Sequence, residues 1–154
     1  MLNRRDFITL MGSGTLAILS SGLAAAPWQS TTGSNDPAFL DDKFDIIVRI
    51  QAVPSRVHIF NGPKTKVWSY QGEVLQGNSA SLTQPGDDGY LGPILRVHQG
   101  QRVRIIFQNA LPVRSIIHWH GLHVPAQMDG HPRQSITPGN EFVYEFHVQD
   151  KAGT

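Results

Sequence analysis

From Phe44 onward the chain alternates between apolar and polar positions. In FDIIVRIQAV the side chains of Phe44, Ile46, Val48 and Ile50 recur at every second residue. A period of two places them on one face of a strand. TKVWSYQG is a second short run, aromatic and closed by Gly72. ILRVHQGQRVRIIFQN gives two runs divided at Gly100. In the later one Val103, Ile105 and Phe107 face one way, and Arg102, Arg104 and Gln108 the other. SIIHWH is a further short run, and EFVYEFHVQ sets Phe142, Tyr144, Phe146 and Val148 on one side. Gly, Pro and Asn punctuate the runs. The pattern predicts an all-β fold, an antiparallel sandwich. No amphipathic helix is predicted after the N-terminal segment. LQGNSASLTQPGDDGYLGP reads as a loop excursion, with residues 74–91 resembling an insertion.

The first residues follow another logic. NRRDFITLMGSGTLAILSSGLAAAPW carries Arg4-Arg5 and Phe7, then an apolar run diluted by Gly and Ser, then Ala24 to Ala26. A charged start, an apolar middle and small residues at a cleavage site describe an export signal over residues 1–26. The paired arginines point to the twin-arginine route, and so to a periplasmic or extracellular mature chain. The run falls short of the ~20 apolar residues a membrane span needs, so no span is expected once the signal is removed. Residues 27–43 are polar and mixed and read as a linker.

Composition narrows the chemistry. The chain has 154 residues, enough for one ordinary domain, and 13 Lys+Arg oppose 12 Asp+Glu for a net charge of +1. No basic block points to nucleic acid. With no cysteine there is no disulfide, no thiolate ligand and no cysteine nucleophile. Histidine is the remaining strong nitrogen ligand, and the sequence has seven.

Three of the seven, His118, His120 and His123, fall within six residues. On a strand, His118 and His120 share a face ~7 Å apart, at ~3.3 Å rise per residue. One metal bound by both rings at ~2 Å is strained at that spacing. Two neighbouring metals, one per histidine, suit it better. Imidazole serves copper, zinc, iron and nickel alike, so spacing does not name the metal. The H-x-H-x-D-H pattern of β-lactamase-fold zinc hydrolases has Leu122 where its aspartate belongs. A cupin would need a glutamate a few residues beyond H-x-H, and no acid stands between His120 and Asp129.

The stretch GPILRVHQGQRVRIIFQNALPVRSIIHWHGLHVPAQMDGHPRQSITPGNEFVYEFHVQDKAGT resembles the first cupredoxin domain of the multicopper oxidases, the laccase-like enzymes. It shares Gly92-Pro93, Gly100-Gln101, Asn109, Leu111-Pro112 and H-W-H-G-L, then Met128-Asp129-Gly130, Pro138-Gly139, a Tyr/Phe strand and Ala152-Gly153-Thr154. The resemblance covers roughly residues 44–154 and implies a cupredoxin-like Greek-key β-sandwich. It implies copper as cofactor, His118 as a type 2 copper ligand and His120 as a type 3 ligand. Asp129 matches an acid that helps deliver protons to the trinuclear cluster; Asp-Gly is also a common turn pair. The family does not require histidine at position 123, which stays a weak third candidate. His131 reads as a supporting or surface residue, and His58, His98 and His147 as ordinary strand or loop positions. Trp119 is expected to pack beneath the ligands and hold their orientation.

The departures from the family pattern shape the expected function. The family uses two histidine pairs from its first domain and two from its last; this sequence has one H-x-H. The second pair normally follows the Ala-Gly-Thr stretch, where this sequence stops at Thr154. The type 1 copper needs a cysteine. Residues 44–154 are therefore read as an incomplete first domain, the N-terminal part of a longer oxidase. Its partners would be the parent's remaining cupredoxin domains, dioxygen and an electron donor such as a phenol, an amine or a metal ion. The isolated chain is expected to be inactive. The alternative is a free-standing exported copper-binding module without catalysis.

Overall fold

The computed structural model describes residues 41–86, 90 and 92–152. The signal segment, the linker up to residue 40 and the closing Gly153-Thr154 lie outside the described residues.

The described residues form six strands: β1 (Ile46–Val57), β2 (Thr65–Gln76), β3 (Leu82–Thr83), β4 (Ile94–Leu95), β5 (Arg102–Asn109) and β6 (Glu141–His147). The larger sheet has the order β2-β1-β5-β6, and β3 pairs with β4 in a second, two-stranded sheet. Among the described residues, the only helical pieces are 3-10 turns at Ser79–Ser81, Ala126–Met128 and Pro132–Gln134. None is long and apolar enough to cross a membrane.

From Ile46 onward the alternating side chains behave as their period dictates, whereas Phe44, which precedes β1 and which the pattern predicts on the same face, lies beside Arg104 instead. Ile46, Val48, Ile50 and Ala52 of β1, Val103, Ile105 and Phe107 of β5, and Tyr144 and Phe146 of β6 form one buried cluster. Tyr70 of β2 packs onto it from the same sheet, and Leu82, Leu95, Ile116, Ile117 and Trp119 from outside that sheet. Burial of these side chains from water is the main driving force for this layered arrangement. On the other face Arg104 lies between Glu145 (2.8 Å) and Asp41 (3.1 Å), with its guanidinium 4.1 Å from the Phe44 ring centroid. The backbone N–H of Asp41 also donates to the Gln76 side chain at 3.0 Å. The last linker residues are thus stitched to the sheet.

Three further features differ from the sequence reading. β1 and β5 run parallel, with Ile46 opposite Val103 and Ala52 opposite Asn109, so the sheet is mixed and not purely antiparallel. The intervening β2, β3 and β4 supply the long crossover that parallel neighbours require. The 74–91 excursion carries regular structure: β2 continues to Gln76, and Leu82 and Thr83 pair with Leu95 and Ile94. SIIHWH is not a strand. Its sheet-like pairing is one bridge between Ser115 and Ile136.

Candidate metal centre

Residues 115–136 leave the sheet and return as a loop with a tied neck. Ser115 and Ile136 exchange backbone hydrogen bonds of 3.0 and 2.7 Å. Beneath the neck sits Asn109, 1% exposed. Its amide donates to the carbonyls of Val113 (2.8 Å) and Ile136 (2.9 Å), and its carbonyl accepts from the Leu111 N–H at 3.1 Å. A buried amide with its donors and acceptor satisfied fixes the loop without a desolvation penalty.

Within the loop the H-W-H segment is extended but held by side chains. The Trp119 ring lies 5.4 Å from both Tyr144 and Phe146, edge-on to the former. Its Nε1 is buried without a hydrogen-bond partner among the described residues, so stacking and burial hold it. The Tyr144 hydroxyl accepts the Ile117 N–H at 3.1 Å. Burial pushes the Tyr144 phenol above its ordinary range, which keeps it neutral. With Trp119 turned inward, His118 and His120 fall together on the outer side, their ring centroids 5.6 Å apart. Directly after them, the Leu122 N–H closes a turn onto Trp119 O at 3.1 Å, and Gly121 supplies its positive φ of 81°.

His118 has a defined tautomer. Its Nδ1 lies 2.7 Å from the backbone carbonyl of Asp129. A carbonyl can only accept, so Nδ1 carries the proton and Nε2 keeps the lone pair a metal needs. The Asp129 carboxylate stands 3.4 Å from the same nitrogen. Gly130 makes this approach possible. A Cβ there would sit 1.9 Å from Ile117 O, and the residue adopts φ +76°. Only glycine allows the two backbone segments to touch in this way.

His123 is placed apart. Its N–H donates to Asp150 Oδ2 at 3.0 Å, and its Nδ1 pairs with Oδ1 of the same carboxylate. That pairing raises the His123 pKa above 6.5 and lowers that of Asp150 below 3.8. Its Nε2 alone is left as a potential ligand atom. His131 accepts the Arg133 N–H at 3.1 Å as the cap of a 3-10 turn, and His147 Nε2 donates to Gly100 O at 3.0 Å. Among the described residues no group of three or more His, Cys, Asp or Glu side chains could hold a metal ion. The loop therefore presents two adjacent imidazoles. Asp150, Asn109 and the Tyr144 hydroxyl were not singled out from sequence as support for this loop. Asp150 lies 27 residues from its partner, and no local pattern joins them.

The family model described as Multicopper oxidase matches residues 72–154, more than half of the chain. The chain belongs to the multicopper oxidase family. It is 37% identical to multicopper oxidase mco of Staphylococcus aureus over 82 residues, which are 53% of this chain and 18% of that protein. It is 44% identical to copper resistance protein A of Pseudomonas syringae pv. tomato over 64 residues, 40% of this chain and 10% of the other. The chain thus spans less than a fifth of either relative. The multi-copper oxidase of Pseudomonas thermotolerans superposes with a TM-score of 0.53 at 30% identity, over 68% of this chain and 22% of that one. The fold is accordingly the all-β, cupredoxin-like sandwich of multicopper oxidases, and copper is the cofactor that membership implies. The donor set fits that metal: two adjacent imidazoles, one with its tautomer fixed, are ligands copper accepts well.

Proposed function

We propose that residues 44–154 form the first cupredoxin domain of a multicopper oxidase, contributing His118 to a type 2 and His120 to a type 3 copper. The carrying observation is the Nδ1–H of His118 fixed on the Asp129 carbonyl at 2.7 Å, beside the ring of His120. That hydrogen bond puts the proton of the neutral ring on Nδ1 and leaves the Nε2 lone pair for a metal. Trp119, stacked on Tyr144 and Phe146, prevents the segment from rotating. Copper, when bound, supplies one-electron chemistry that couples oxidation of phenols, amines or metal ions to reduction of dioxygen to water. Water formation consumes protons, and the half-exposed Asp129 carboxylate, 3.4 Å from His118 Nδ1, supports the reading that it holds and passes one. His123, engaged with Asp150, serves the loop more than the metal.

Two imidazoles and no cysteine do not make an oxidase, so this chain is inactive by itself and acts with the other cupredoxin domains of a longer enzyme. Residues 1–26 direct export by the twin-arginine route, and residues 27–43 link the signal to the domain. An equilibrium competition between Cu(II) and Zn(II) tests the metal assignment. Copper is expected to be retained over zinc, with affinity lowered by about 10- to 100-fold in His118→Ala or His120→Ala. Retention that neither substitution alters overturns the ligand assignment. Oxygen uptake with a phenol is expected to match free copper; faster uptake overturns the inactivity of the isolated chain.

A further inference from the structure

We infer that the β1–β2 hairpin arm is a docking surface for an anionic phospholipid bilayer. β1 pairs with β5 only as far as Ala52, opposite Asn109, whereas β1 and β2 remain paired to Val57 opposite Thr65. The end of the hairpin therefore projects past the four-stranded sheet as a two-stranded ribbon. From Ile46 to Gly72 the sequence contains no Asp or Glu, yet it carries Arg56, Lys64 and Lys66, all exposed.

The register sharpens the point. Arg56 lies directly opposite Lys66, and Pro54 opposite Trp68, so all four side chains share one face. Like charges directly opposite each other repel across a sheet. Among the described residues neither cation has a carboxylate partner, so an external anion would relieve that repulsion. An open groove of about 640 Å³ runs along this end of the hairpin, lined by Pro54, Ser55, Arg56, Lys66, Val67 and Trp68. Apolar surface accompanies the charge: Trp68 is 59% exposed and Phe60, in the connecting loop, 82%. A soluble anion would account for the cations alone. Cations next to exposed aromatic rings fit the headgroup level of a membrane, where rings sit between lipid tails and water while basic side chains meet phosphates.

Co-sedimentation of the 154-residue chain with vesicles tests this. Phosphatidylglycerol-rich vesicles are expected to bind the chain, pure phosphatidylcholine vesicles to leave it in solution, and rising salt to release it. The double substitution Arg56→Gln/Lys66→Gln is expected to weaken binding roughly thirtyfold, and Phe60→Ser to weaken it further. All three positions are exposed, and the salt titration of the unsubstituted chain provides a second reading that needs no variant. Equal affinity for both vesicle types overturns the proposal. So does binding of heparin in place of vesicles, or vesicle binding that ignores Phe60, since either would mark a simple anion site.

Discussion

At the residue scale, the state of His118 depends on a glycine that makes no chemical contact itself. A side chain at position 130 would meet the Ile117 carbonyl, so Gly130→Ala must push the Asp129 carbonyl away from His118 Nδ1. The expected result is a loss of about 2 kcal/mol or more in chemical denaturation, combined with weaker copper binding. Unchanged copper affinity would show that the ring is oriented by something else. The Asp-Gly pair was legible in the sequence, and so was Asp129 as a residue of interest. The nearer of its two contacts with His118 is nevertheless its backbone carbonyl, which every residue type carries.

His123 illustrates the same limit. Its density beside His118 and His120 suggests a third ligand, whereas the structure pairs it with Asp150. A histidine whose folded pKa is raised contributes stability below its unfolded value of 6.5 and loses it as pH rises through the folded value. An aspartate whose folded pKa is lowered contributes above 3.8 and loses it as pH falls through its folded value. The pair is therefore at full strength between about pH 3.8 and 6.5. An NMR titration of the His123 ring should show a midpoint above 6.5 that falls in Asp150→Asn. A midpoint indifferent to that substitution would remove the pairing from solution.

At the element scale, strands were legible where alternation was sustained. β1, β5 and β6 bury the alternating residues that the sequence marks, because one face of each meets the core. The H-W-H run has the same alternation over a shorter span, and it forms no ladder. Trp119 points inward and the histidines outward, as in a strand, but Tyr144, Phe146 and the Ile117 N–H bond do the holding. The parallel pairing of β1 with β5 was hidden for a different reason, since strand alternation does not encode direction. Asn109, visible only as a familiar position, proves to tie the neck of the loop. Asn109→Ala leaves the carbonyls of Val113 and Ile136 without that donor and should cost about 3 kcal/mol in thermal or chemical unfolding. Asn109→Asp should cost at least as much, because a carboxylate cannot donate to either carbonyl. A loss well under 1 kcal/mol in both would mean that the neck closes without the amide.

At the scale of the whole molecule, a buried sheet face carries a loop, and the loop presents two imidazoles without completing a site. The proposed role accounts for this pair, since the resemblance implies a copper cluster whose histidines come from more than one domain. The central claim concerns His118 and His120 as imidazole donors to copper. Pulsed electron paramagnetic resonance of the chain loaded with less than one equivalent of Cu(II) reads it directly, through modulation from the remote imidazole nitrogen. The unsubstituted chain should show that modulation, and His118→Ala/His120→Ala should abolish it while the five other histidines remain. An unchanged modulation pattern in the double variant would contradict the account.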